Sequence, residues 1–220
     1  MKAHKGLAIA LLVLGVSVGC STDSAKHPAN APAQAVPQPA PKATGVTIPV
    51  GPGPQGTYTV QAQPAPGSCH YRKTADGQPL PDSACTPGAV NPTVTPANLA
   101  DTICKSGYTA SIRPNSNITG REKTDNIKSY GYSGDPRDGE YDHLISLELG
   151  GDPNDARNLW VEPPSPGHQN GAGPNNPKDG VESKLHTLIC GGKVALTDAQ
   201  VAIATDWTTA LATVGFPDGK

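Results

Sequence analysis

Asp142-His143-Leu144-Ile145-Ser146-Leu147-Glu148-Leu149-Gly150-Gly151, followed by Arg157-Asn158-Leu159-Trp160, is the stretch on which the reading of this chain turns. Residues 140–147 and 157–161 read as paired strands joined by a loop that carries Gly150 and Gly151. An acidic group and an imidazole then stand side by side at the end of the first strand, and an asparagine returns on the second.

Downstream, a loop over 163–177 rich in Pro, Gly and Asn leads to a helix expected over about Lys178 to Cys190. Val181, Leu185, Leu188 and Ile189 fall at i, i+4, i+7 and i+8 and would be buried, leaving Asp179, Glu182 and His186 on the other side. A last helix is expected from Thr197, where Thr197-Asp198-Ala199-Gln200 is a capping-box pattern, to about Thr213, with Ile203, Trp207 and Leu211 inward. Upstream, Thr95-Pro96 predicts a helix over 96–104. Tyr108 to Ile112 alternates like a short strand, and Thr119-Gly120-Arg121-Glu122 opens a helix that should stop at Gly131. The order strand, loop, strand, loop, helix implies an α+β domain over residues 68–220.

Residues 1–20 read as an export signal. Lys2 and Lys5 precede an uncharged apolar run from Gly6 to Val18, too short to span a bilayer, which needs roughly 20 apolar residues. Gly19-Cys20 resembles a bacterial lipoprotein cleavage site, so acylation of Cys20 is expected, with simple secretion as the alternative. No transmembrane helix is expected, and membrane contact would come only through the lipid. From 21 to 67 the chain is dominated by Pro, Ala, Gln, Gly and Thr and reads as a disordered linker, because proline fixes φ and removes donors. Of 220 residues, 24 are Pro and 25 Gly, which fits one compact domain behind such a segment. The formal charge of −2 carries no global basic signature, so nucleic-acid contact would need a local patch.

Apart from Cys20, the cysteines are Cys69, Cys85, Cys104 and Cys190, an even number in an exported chain. Two disulfides are the expectation. Of the three possible pairings, Cys69 with Cys85 and Cys104 with Cys190 is favoured, since each joins the ends of a plausible subdomain. A zinc site is the competing reading, weakened by the lack of a Cys-x-x-Cys pair.

Residues 142–178 resemble the ββα-metal motif of the HNH endonuclease family, best that of exported, actinobacterial-type HNH-like proteins. The shared segments are Asp-His-Leu-Ile, Glu-Leu-Gly-Gly, Asn-Leu-Trp and Lys-Asp, and the likeness extends loosely from Thr102-Ile103-Cys104 to Ala204-Thr205-Asp206-Trp207. Ser146 stands where the family usually has proline. The resemblance implies a disulfide-stabilised ββα-metal core with flanking helices. It makes His143 the general base that takes a proton from the attacking water, and Asp142 a ligand of a hard ion, Mg2+ or Mn2+. It gives Asn158 the task of fixing the loop that orients the histidine, and makes Asn175 the third, metal-side ligand. Glu182 and His186, one turn apart, are an alternative pair for an ion or a hydrated helix face. Arg157 and Arg113 are candidate phosphate contacts, whereas Trp160 and Trp207 read as core.

The function implied is an exported or surface-anchored, metal-dependent endonuclease hydrolysing DNA, or RNA, with low sequence specificity and leaving a 5′-phosphate and a 3′-hydroxyl. Two other classes stay open. One is a non-catalytic cell-surface binding module on the same scaffold. The other is a cell-wall glycan hydrolase using two of Glu140, Asp142 and Glu148.

Overall fold

Two four-residue strands, β3 (Glu140–His143) and β4 (Leu159–Glu162), form the antiparallel hairpin around which the domain is built. The structure, a computed structural model, describes residues 47–218. The expected export signal, Cys20 and the expected linker as far as residue 46 lie outside the described residues. The remaining elements are the short hairpin β1 (Arg72–Lys73) and β2 (Pro79–Leu80), and helices α1 (Tyr108–Ile112), α2 (Ser116–Tyr130), α3 (Lys178–Cys190), α4 (Leu196–Thr205) and α5 (Ala210–Thr213). The fold is mixed α+β.

In the β3–β4 register Glu140 faces Glu162, Tyr141 faces Val161, Asp142 faces Trp160 and His143 faces Leu159. Side chains alternate along a strand, so Glu140, Asp142, Trp160 and Glu162 share one side, while Tyr141, His143, Leu159 and Val161 share the other. The first side meets α3, whose bounds coincide with the expected ones. Leu185, Leu188 and Ile189 of α3 are buried as expected and join Leu144, Ile145, Leu149, Ile203 and both tryptophans in the core, whereas Val181, expected with them, is half-buried at its margin. α2 stops where the sequence says, with Gly131 in the left-handed region at φ 60°. It begins three residues before the expected Thr119, because the Asn115 side chain accepts from Asn117 N and caps the helix just after Pro114.

Several expectations are corrected. Tyr108–Ile112 is helix rather than strand: Tyr108 and Ile112 satisfy an i,i+4 stripe as well as an alternation, and Ser111 N finds its acceptor on Gly107 O within the segment. The 96–104 helix shrinks to a single 3-10 turn, Leu99–Asp101, where the Asn98 amide accepts from Thr95 N and donates to Thr93 O. The strand expected over 140–147 ends at His143 and turns into a second 3-10 segment, Leu147–Leu149, closed by Gly150 at φ 74°. The final helix is two: Asp206 accepts from Thr208 N, and the turn places Trp207 in the core with its indole N–H on Pro79 O. α4 starts from Ala195 without a side-chain cap, so the Thr197 capping box is unused.

Residues 47–67, expected as the end of the linker, lie along the domain. Val50 bridges Val90, which in turn bridges Gly151. Gly53 N donates to Asp152, Gln61 N to Glu122, Asn154 Nδ2 to Thr59 O and Ser129 Oγ to Pro64 O. Prolines in this strap remove donors the extended chain would otherwise leave bare, and buried acceptors on the domain take up N–H groups that remain. Both disulfides form as favoured, Cys69–Cys85 and Cys104–Cys190, which suits an oxidising compartment. Among the described residues no helix is long and apolar enough to cross a membrane.

Candidate functional site

Asn158 organises the hairpin loop. Its amide donates to Ile145 O and Asp152 O, each at 3.0 Å, and its carbonyl accepts from Ile145 N at 3.0 Å and Ala89 N at 3.3 Å. That is the full capacity of a primary amide, spent inside a fully buried site. The loop closes so tightly beneath it that a Cβ on Gly151 would lie 1.7 Å from Ile145 O, so only glycine fits. These bonds tie the end of β3, the segment at Asp152 and Ala89 to one another.

His143 is the last residue of β3. Its Nε2 lies 3.0 Å from Pro153 O and the residue is 6% exposed. Since a carbonyl can only accept, Nε2 carries the proton and Nδ1 the lone pair. Burial pushes the imidazole down to about 4, with the Pro153 carbonyl and Asp142 opposing that shift in part, so the ring is neutral at physiological pH.

Asp142 points the other way, to the α3 side. Its Oδ2 accepts from Lys178 Nζ at 2.8 Å and from the Trp160 indole at 3.4 Å. Lys178 is 0% exposed and also donates to His143 O at 2.8 Å and to Glu182 Oε1, one turn along α3. Glu162, 2% exposed, lies beside this pair, with neither carboxylate oxygen hydrogen-bonded among the described residues. Burial and then the Asp142 charge hold Glu162 well above the usual carboxylate range, and burial pushes Glu182 up to about 8. Burial works against the Lys178 charge, but Asp142, Glu182 and Glu162 outweigh it and the ammonium titrates above its ordinary value.

Other expected residues are placed elsewhere. Asn175 is exposed, and its backbone carbonyl, accepting from Ser165 N, is its contact; the neighbouring Asn176 is the one that reaches in, donating to Glu140 Oε2 at 3.1 Å. Pro177 starts the helix just beyond, which turns the Asn175 side chain outward. Arg157 forks onto Asp155 and reaches Val50 O, so it is occupied. Arg113 is exposed and lines a cleft of about 210 Å³ together with Ser146, Glu148, Asp179 and Glu182. Ser146 Oγ is buried at its edge without a hydrogen-bond partner among the described residues. Glu182 and His186 do not form a pair: Glu182 turns to Lys178, and the His186 ring to Ile103 O beside the Cys104–Cys190 disulfide.

A divalent ion on Asp142 does not fit this arrangement. An ammonium already holds the inward oxygen, and no three carboxylate or imidazole ligand atoms converge there. Among the described residues the one convergent set is Cys104, His186 and Cys190, whose sulfurs are joined to each other and so lack the thiolate a metal would need. Nor do the carboxylate of Asp142 and the ring of His143 face one cavity. Sequence reasoning missed Lys178 and Glu162. The available signals were the Lys178-to-Glu182 spacing of one helical turn and the position of Glu162 across the hairpin from Glu140. No family model matches the chain, and no curated protein or solved structure matches it.

Proposed function

We propose that this protein is an exported phosphodiesterase acting on nucleic acid with low sequence specificity, with His143 as the general base. The observation that supports the reading is the four-bonded Asn158, which ties together the loop after His143. The hairpin followed by α3 supplies the matching ββα order.

In this reading the neutral His143 takes the proton of an attacking water at Nδ1 while the water oxygen bonds to phosphorus and a sugar oxygen leaves. Arg113 supplies a planar cationic fork and Ser146 a free hydroxyl for the non-bridging oxygens. The positive charge beside Asp142 is the buried Lys178 ammonium, whose hydrogens are taken by Asp142, His143 O and Glu182, so its role is to hold the end of β3 against α3. Hydrolysis by these residues is expected to persist in the presence of a chelator.

A second reading, a non-catalytic surface module, is favoured by the 6% exposure of His143 and by the side of β3 on which it lies. The test is digestion of supercoiled plasmid by residues 47–220 with Mg2+, with Mn2+ and with chelator alone. Nicking that His143→Ala abolishes, in a variant with unchanged circular dichroism, supports the phosphodiesterase. Intact plasmid under all three conditions makes the binding module the better account.

A further inference from the structure

The Cys104–Cys190 disulfide has an imidazole beside it. Its two sulfurs and a ring nitrogen of His186 lie within 4.8 Å of one another, a convergence that no other three His, Cys, Asp or Glu side chains reach among the described residues. His186 and Cys190 stand one turn apart on α3, at i and i+4, and Cys104 arrives from the segment before α1. The imidazole is also oriented. Its Nε2 lies 2.9 Å from Ile103 O, and a carbonyl can only accept, so the ring proton sits on Nε2 and the lone pair on Nδ1. A backbone carbonyl on the second nitrogen is how metal-ligating histidines are held. The disulfide is open to attack as well. Cys190 is exposed, Cys104 is half-buried, and Cys104 and His186 line a cleft of about 330 Å³, whereas Cys69 of the other disulfide is 2% exposed.

We propose that Cys104, His186 and Cys190 are a redox-switched zinc site, a covalent staple when oxidised and the three protein ligands of one Zn2+ once a dithiol has reduced the bond. In that exchange a thiolate of the dithiol bonds to the Cys190 sulfur and expels the Cys104 thiolate. The second thiol then breaks the mixed disulfide, leaving the reagent as a cyclic disulfide and its two protons on the cysteines. Zinc binding releases those protons. Two sulfurs and a nitrogen form a set that suits zinc, and solvent in the cleft completes the tetrahedron. With Cα atoms 5.7 Å apart, the freed sulfurs can part and flank one ion. The ion then holds the segment before α1 against the end of α3 in place of the covalent bond. The inference is independent of the phosphodiesterase reading.

The test is anaerobic titration of residues 47–220, reduced with dithiothreitol and desalted, with Zn2+ against a chromophoric chelator and with Co2+ as a spectroscopic substitute. Reduced wild type is expected to take up one Zn2+, and its Co2+ form to show thiolate charge-transfer and tetrahedral d–d bands, while the oxidised protein shows neither. Cys104→Ala/Cys190→Ala abolishes the site and Cys69→Ala/Cys85→Ala keeps it. His186→Ala weakens it at least about 10-fold, since even groups that only orient a ligand are worth that much. Where the reduced chain is unfolded in chelated buffer, recovery of its circular dichroism on adding Zn2+, but not in His186→Ala, is the supporting result. Reduced wild type that neither binds Zn2+ nor refolds with it overturns the proposal. So does uptake that is equal in the oxidised protein, undiminished in His186→Ala or retained in Cys104→Ala/Cys190→Ala.

Discussion

His143 shows how burial alone sets the state of a side chain. The folded value of about 4 lies below the ordinary 6.5, so between those values the folded protein holds fewer protons than the unfolded chain. Stability therefore rises with pH through that window and is lost as pH falls from about 6.5 to about 4. A depression of this size corresponds to a loss on the order of 3 kcal/mol. Urea unfolding at pH 7 and pH 4 should show wild type losing that much more than His143→Gln, which has no imidazole to protonate. Equal losses in the two proteins would mean that the ring is not held neutral by its surroundings. Asn158 was singled out only by the resemblance carried by Asn158-Leu159-Trp160; periodicity put it inside a strand over 157–161, whereas it ends the 3-10 turn Ala156–Asn158 before β4. Lys178 was not legible. An amphipathic pattern directs charges outward by default, and this one is inverted by partners on β3, 36 residues away.

At the scale of elements, the parts read correctly are those whose local signals agree with their packing. α3 has a clean apolar stripe, and α2 ends at a glycine that can adopt positive φ. The hairpin has strands on either side of a glycine turn. Where local signals were shared between two periods, as at Tyr108–Ile112, tertiary context decided. The last helix broke because Trp207 must reach the core while Asp206 turns the chain. The strap of residues 47–67 was missed for a related reason. Its composition is that of free chain, and only the buried acceptors Glu122 and Asp152, distant in sequence, hold it. A protein beginning at residue 68 would leave Glu122 Oε1, Asp152 Oδ2 and the Asn154 amide without their partners, while Ser129 would keep only Asp125 O. With each buried polar group left unpaired costing about 1–3 kcal/mol, the shorter protein should be less stable than residues 47–220 by at least about 3 kcal/mol. Chemical denaturation of the two forms measures this directly. Equal midpoints would show that the strap contributes nothing to folding.

For the whole molecule, two covalent staples act on very different lengths of chain. Cys69–Cys85 spans 16 residues and ties the end of the strap to the turn before the hairpin loop's neighbours, whereas Cys104–Cys190 spans 86 and joins the segment before α1 to the end of α3. The second loop encloses α1, α2, β3, β4 and nearly all of α3, so it constrains every element that carries Asn158, His143, Asp142 and Lys178. Restricting the unfolded chain is worth more for the longer loop, about 4.6 kcal/mol against about 3 kcal/mol on loop-closure entropy. Cys104→Ala/Cys190→Ala is therefore expected to lower stability more than Cys69→Ala/Cys85→Ala, by about 1.5 kcal/mol, when both are compared with wild type under oxidising conditions. The long staple should also matter more to the site. Thermal unfolding followed in the near ultraviolet, where Trp160 beside Asp142 reports on the hairpin, should begin earlier in the Cys104→Ala/Cys190→Ala protein. The reverse order of stabilities would mean that the short loop's native contacts outweigh the chain-entropy difference, and that the core around β3, β4 and α3 holds without its long-range staple.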